Sequence, residues 1–185
     1  MEQLIGDIKT PRLILRLMDK KMIAYFLEND LESAAILLKA KIPAEMSDRP
    51  SAFSYSLKQF EDESYLPWAA RAIIHQEENQ MVGLVRFHSK PDPEYLKNYA
   101  ANAVEFGYRI IKDFRKNGYA TEAVTAMMNW ANTNFGIENF IASVSPENKD
   151  SLNLISKLGF KKISEEMDDI DGLEYVFLKE ATDRL

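Results

Sequence analysis

The residues from Val104 to Ala131 constrain this chain more than any others. Val104, Phe106, Tyr108 and Ile110 alternate with Glu105, Gly107 and Arg109, the period-two pattern of a strand. A polar turn, Lys112–Asn117, follows, and Gly118 stands where a helix would begin. From there Ala120, Ala123, Val124, Met127, Met128 and Ala131 recur at helical spacing and mark one apolar stripe. A strand, a glycine-bearing turn and a helix in succession aim unpaired backbone N–H groups at an anion. The turn is neither G-x-x-x-x-G-K-[ST] nor G-x-G-x-x-G, so the common nucleotide loops are excluded.

The remaining elements follow in order. Arg12–Leu17 reads as a first strand, and Asp19 caps a helix from about Lys20 into Asp30 that carries Met22, Ile23, Phe26 and Leu27 on one face. A second helical piece, Leu31–Lys41, runs until Pro43 stops it. Phe53, Leu57 and Phe60 suggest a further helix ending near Ser64, and Trp68–His75 and Met81–His88 are strands joined by a polar turn. Pro91–Ala101 is a long connection of the kind that carries function or moves. Beyond the central helix, which ends at Asn134 and Gly136, come strand Phe140–Ser145, helix Lys149–Leu158 closed by Gly159, and strands Phe160–Glu166 and Glu174–Lys179. Strands and helices interleave and then close on a hairpin, the pattern of an α/β or α+β mixed sheet.

With 185 residues and no repeat or linker, the chain is expected to form one domain, 1–185. No apolar run reaches the roughly 18 residues of a membrane span, and no signal peptide opens the chain. The absence of cysteine excludes disulfides and thiolate chemistry and agrees with a cytoplasmic protein. Two histidines without ligand spacing predict no metal site. A net charge of −6 argues against nucleic acid as a partner and suits an amine-bearing substrate.

The turn Arg115-Lys116-Asn117-Gly118-Tyr119-Ala120 resembles the Q/R-x-x-G-x-G/A signature of the GNAT family of acetyl-coenzyme A-dependent N-acetyltransferases. Asn148, Ser151 and the run Lys157-Leu158-Gly159-Phe160 resemble that family's N-x-x-S/A and K-x-G-F motifs. Thr10 to Arg16, Thr-x-Arg-Leu-x-Leu-Arg, is similar to the opening of its RimJ/RimL-like branch. The resemblance runs from Thr10 to about Leu178. It implies a mixed, mostly antiparallel sheet of about seven strands with helices on both faces, and acetyl-coenzyme A as co-substrate with no metal. It further implies that Tyr108, Arg109, Ile110, Ile111, Arg115, Lys116, Asn117, Gly118, Tyr119, Ala120, Thr121 and Asn148 bind the coenzyme. Gly118 then admits backbone to phosphate, Ala120 keeps the first turn slim, and Arg115 and Lys116 add positive charge.

The same resemblance assigns the chemistry, acetyl transfer to a primary amine by direct attack in a ternary complex. Glu105, in the pattern Glu105-x-Gly107-Tyr108, is the expected general base, directly or through water. The N–H groups of Arg109 to Ile111 would polarise the acetyl carbonyl. Asn148 would touch the pantetheine arm or the amine, or serve as a helix N-cap. Many relatives carry a proton-donating tyrosine where this chain has Ile155, which leaves Ser151 or water to protonate the thiolate. That substitution sustains a second reading, a non-catalytic acyl-coenzyme A sensor of the same fold. His88 at a strand end reads as structural or exposed, and Tyr65, Trp68, Tyr95 and Tyr99 as core or acceptor lining. Glu165, Glu166, Asp168, Asp169, Asp171 and Glu174 form an acidic run, ordinarily a solvated turn. In the family this hairpin flanks the acceptor, which would favour a cationic amine. A protein N-terminus, a polyamine and a small amine all remain open as acceptor, and monomer or homodimer as assembly.

Overall fold

The computed structural model describes residues 5–47, 50–168 and 172–181. Its strands are β1 (Ile8–Lys9), β2 (Leu13–Leu17), β3 (Arg71–His75), β4 (Gln80–Phe87), β5 (Ala103–Ile110), β6 (Asn139–Val144), β7 (Lys161–Asp168) and β8 (Gly172–Glu180). Its helices are α1 (Lys20–Leu27), α2 (Leu31–Leu38), α3 (Pro50–Gln59), α4 (Tyr119–Phe135) and α5 (Lys149–Lys157). The strand order is β1-β2-β3-β4-β5-β6-β8-β7, eight strands among the described residues rather than about seven. The unforeseen strand is β1, whose two residues pair with Leu15 and Ile14 and are too few to show a period.

The chain divides into two compact units, Met1–Phe87 with Tyr108–Ala126, and His88–Gly107 with Met127–Leu185. In the first, β1, β2, β3 and β4 pair antiparallel in succession. Its core gathers Met18, Ile23, Phe26, Ala34, Leu38, Phe53, Ile74 and Met81, with Phe26 and Phe53 stacked at 4.9 Å. In the second, β5 and β6 run parallel, with Glu105 opposite Ile141, while β6–β8 and β8–β7 are antiparallel. Leu96, Ala103, Ile141 and Val176 form a core there.

Local chemistry sets most of the boundaries. The Asp19 carboxylate accepts from Met22 N–H at 2.8 Å and starts α1, and Asn148 does the same for Ser151 N–H at 3.1 Å at the head of α5, each satisfying an orphan helix donor. Two expected helices end early. α1 stops at Leu27, because Asn29 turns the chain at φ 57°, and α2 stops at Leu38, because Lys39 adopts φ 52° well before Pro43. α3 ends at Gln59, and a short 3-10 turn, Glu63–Trp68, precedes β3. Strand pairing with β2 therefore begins at Arg71 rather than at Trp68.

Candidate functional site

In the first unit, the turn between β5 and α4 is exposed from Arg115 to Gly118. Lys116 sits at φ 63° and Gly118 at φ +79°. Left-handed positions in a turn are a feature of backbone nests that bind anions. The first intrahelical bond of α4 runs from Glu122 N–H to the Gly118 carbonyl. The N–H groups of Tyr119, Ala120 and Thr121 therefore lie ahead of it, at the positive end of a 17-residue helix. Side chains brace the turn. Arg115 Nε donates to the Ile110 carbonyl at 3.1 Å, and Asn117 Nδ2 donates to the carbonyls of Phe114 and Arg115 at 3.2 Å each.

A second brace comes from the start of the chain. Arg12 Nη1 donates to the Asn117 carbonyl at 3.0 Å, and its guanidinium lies 4.8 Å from the centre of the Tyr119 ring. Arg12 Nε and Nη2 both bond Glu122 Oε2, at 2.8 and 2.7 Å, while Arg12 N–H and the Thr10 hydroxyl bond Glu122 Oε1 at 3.0 and 2.5 Å. Partial burial pushes the Glu122 carboxyl upward, but those bonds outweigh it and hold it below the usual carboxylate range. Thr10 and Arg12 were read only as part of a strand motif; the structure makes them the clamp on the first turn of α4.

The strand before the turn supplies less free backbone than expected. Ile111 N–H donates to the Val82 carbonyl at 3.0 Å, so it is committed to the sheet and does not polarise an acetyl group. Ile110 and Ile111 bury their side chains in the core, which restricts any contact of theirs with a ligand to main chain. The Arg109 guanidinium donates to the Glu45 carbonyl at 2.9 Å. Tyr108 and Arg109 are half-buried, as are Tyr119 and Ala120, whereas Thr121 is exposed.

In the second unit, Glu105 is only 6 % exposed and anchors a polar cluster. Ser143 of β6 donates to Glu105 Oε1 at 2.6 Å, and His88 Nδ1 lies 3.2 Å from Oε2. Tyr95 adds a further side-chain hydrogen bond to the carboxylate. The His88 N–H also donates to the Glu105 carbonyl at 2.8 Å, so backbone and side chain register the two residues against each other. Burial favours the neutral acid, but the bonds and charge of His88, with Ser143 and Tyr95, prevail and lower the Glu105 pKa. Gly107 belongs to this cluster through space rather than chemistry, since a Cβ there would come within 2.6 Å of His88 Nε2.

Asn148 and Ser151 are joined by the α5 cap, the Asn148 carboxamide oxygen being its acceptor. Ile155, where a tyrosine was sought, is fully buried. Among the described residues no group of three or more acidic or histidine side chains is placed to hold a metal, and no helix is long and apolar enough to cross a membrane. Tyr99 donates to Glu166 of β7, and burial, then the Glu166 carboxylate, raises its pKa. Of the acidic run, Asp169 and Asp171 lie outside the described residues.

The family model of the acetyltransferase (GNAT) domain matches residues 12–161. The chain belongs to the GNAT acetyltransferase family. It is 26% identical over 90 residues to the uncharacterized N-acetyltransferase YoaA of Bacillus subtilis, a match covering 49% of this chain and 47% of that protein, so the GNAT chain spans about half the length of the curated relatives it matches. The fold is similar to that of ribosomal-protein-S5-alanine acetyltransferase from Vibrio fischeri, with a TM-score of 0.65, 17% identity, and 96% and 97% of the two chains covered. It is also similar to RimL, a ribosomal L7/L12 alpha-N-protein acetyltransferase solved with coenzyme A, with a TM-score of 0.66, 15% identity, and 94% and 97% covered. The mixed, mostly antiparallel GNAT sheet expected from the sequence is the one observed.

Proposed function

We propose that this GNAT chain is an acetyl-coenzyme A-dependent N-acetyltransferase of the RimJ/RimL-like branch, acting as a single domain over 1–185 in the cytoplasm. The observation that carries the reading is the Arg115–Ala120 turn. Its two left-handed positions and the leading N–H groups of α4 offer a diphosphate several donors at once. Arg115 and Lys116 add positive charge within the turn, while the Arg12 charge is offset by Glu122. Each dipole or charge contact contributes only about 0.3–1 kcal/mol, so binding rests on their sum.

Acetyl transfer then needs the amine deprotonated and held beside the thioester. Placement alone can contribute roughly 7–11 kcal/mol in ideal cases. The Glu105 cluster supplies the proton-accepting groups, and the acidic β7 residues Glu165, Glu166 and Asp168 favour a cationic acceptor such as a basic peptide N-terminus or a polyamine. The products are the N-acetyl amide and free coenzyme A.

The test is thiol release from acetyl-coenzyme A with a panel of peptide N-termini, polyamines and small amines, alongside calorimetry with coenzyme A. Saturable transfer to one amine class is the expected result. Tight coenzyme binding with no transfer to any amine would instead support the non-catalytic sensor, the reading that the buried Ile155 favours.

A further inference from the structure

Among the described strands, β7 closes one end of the sheet and pairs on one side only, with β8. All of its residues are exposed except Ser164, which is half-buried. An edge strand of this length presents its outer N–H and C=O groups to any strand that can match them. Proteins guard such edges with charges, lysine above all, and with bulges. Both guards are present in β7, and both are ordered. The charges are segregated along the strand, Lys161 and Lys162 first, then Glu165, Glu166 and Asp168. The register against β8 shifts between Lys162 and Ser164, which makes Ile163 the extra residue of a bulge.

We infer that β7 is an interface for a second copy of this chain, paired antiparallel across a two-fold axis at Ser164. A parallel partner would set lysine against lysine and acid against acid, which is destabilising. Antiparallel pairing reverses the order, so basic residues meet acidic ones at both ends. The register against β8 fixes the face that each side chain takes. Lys162 and Glu165 lie opposite Phe177 and Tyr175 on one face, whereas Lys161, Ser164 and Glu166 lie opposite Leu178, Val176 and Glu174 on the other.

Counted past the bulged Ile163, the axis at Ser164 sets Lys162 across from Glu165 of the second copy. It sets Lys161 across from Glu166 of the second copy. Both contacts agree in face and in sign, and the symmetry makes each of them twice. A residue on the axis meets itself, which a charged residue there would oppose. Moving the axis to either neighbouring paired position, Lys162 or Glu165, would bring like charges together. Lys162 already bonds Glu165 within the chain at 2.5 Å. Pairing therefore joins two such ion pairs into a ring of four alternating charges. Ile163, 41% exposed, lies inside the paired stretch and is sheltered from water there. The inference concerns β7 alone and stands whether or not the chain transfers acetyl groups.

Sedimentation of the full chain over a concentration series should show a reversible dimer. Lys161→Glu with Lys162→Glu makes the strand acidic throughout, and Glu165→Lys with Glu166→Lys makes it basic up to Asp168. Each double variant alone should dimerise at least about tenfold more weakly than the unaltered protein. An equimolar mixture of the two should recover the dimer, because opposite strands then face each other. That recovery also shows that both variants are folded. The chain has no cysteine, so Ser164→Cys supplies a single thiol that meets its own copy at the axis. Mild oxidation should cross-link it, and should not cross-link Lys149→Cys, whose position on α5 is exposed. A strictly monomeric unaltered protein would overturn the inference. A dimer left intact by both charge reversals, or one cross-linked through Lys149→Cys and not through Ser164→Cys, would overturn it too.

Discussion

Arg12 and Glu122 lie 110 residues apart and are joined by two guanidinium bonds and one from the Arg12 N–H. The Thr10 hydroxyl adds another. The carboxylate sits in the first turn of α4, where a negative charge complements the helix dipole. Arg12 in turn donates to the Asn117 carbonyl, one residue before Gly118. The clamp thus sets both the turn and the helix that starts from it.

Arg12→Ala should therefore weaken coenzyme A binding about tenfold, or about 1.4 kcal/mol, just under the roughly 1.5–3 kcal/mol associated with hydrogen bonds to charged groups. Glu122→Gln should weaken it less, because the amide still accepts from Thr10 and Arg12. Calorimetry on the two single variants and the double should give a sum larger than the double, the sign of one shared network. Equal affinity in Arg12→Ala and the unaltered protein would remove the clamp from the binding argument.

The same carboxylate gives a pH dependence with a definite sign. Glu122 is held below its ordinary pKa in the folded chain. Its stabilisation is present above the unfolded carboxylate pKa and is lost as pH falls through the folded value. Thermal unfolding of the unaltered protein and Glu122→Gln should converge as acid is added and separate toward neutral pH. A gap that stays constant over that range would contradict the assignment.

Gly118→Asp should nearly abolish coenzyme A binding, more than 100-fold. It places a β-carbon at φ +79° and a negative charge where the phosphates would sit. Gly118→Asn keeps a residue type that tolerates the left-handed region and adds no charge. It should bind with intermediate affinity, and calorimetry on both folded variants checks the order.

The regions that could be read from sequence are those where one residue carries a local instruction. Asp19 and Asn148 announce helix starts, Gly136 and Gly159 announce ends, and β5 alternates cleanly. The misjudged ends at Leu27 and Leu38 follow from Asn29 and Lys39 entering the left-handed region, for which lysine carries no sequence signal. The Arg115–Ala120 turn was legible because its chemistry is contiguous. The clamp and the His88 cluster were not, because Thr10, Arg12 and Glu122, like His88, Glu105 and Ser143, meet only through strand pairing and helix placement. His88 did offer one clue, since it follows the last residue of β4 while Glu105 stands early in the next strand.

Asn148 separates a structural role from a catalytic one. Its carboxamide oxygen caps α5 through Ser151 N–H, and Asn148→Ala should cost about 1 kcal/mol of stability. Asn148→Asp retains the acceptor and should keep that stability. If the NH₂ group also serves the coenzyme or the amine, the aspartate variant will be stable yet slow, and steady-state kinetics will show it. Full activity with full stability in Asn148→Asp would reduce Asn148 to a cap.

The acceptor's charge is tested on β7. Glu165 and Glu166 are exposed there, and Glu165 is paired with Lys162 at 2.5 Å. Glu166 accepts from Tyr99, whose pKa rises in consequence of burial and that carboxylate. A negative field from these groups would speed encounter with a cationic amine, and at physiological salt it would reach only about 8 Å. Glu166→Gln keeps an acceptor for the Tyr99 hydroxyl and deletes the charge, so the fold should be little altered. The expected outcome is a several-fold rise in KM for a polyamine or basic peptide at low salt, with a flatter salt dependence and the KM for acetyl-coenzyme A unchanged. Glu165→Gln serves as the comparison, because its charge is already offset by Lys162 and its effect should be smaller. Equal kinetics for the unaltered protein and Glu166→Gln at both salt concentrations would leave the acidic strand with no part in choosing the amine.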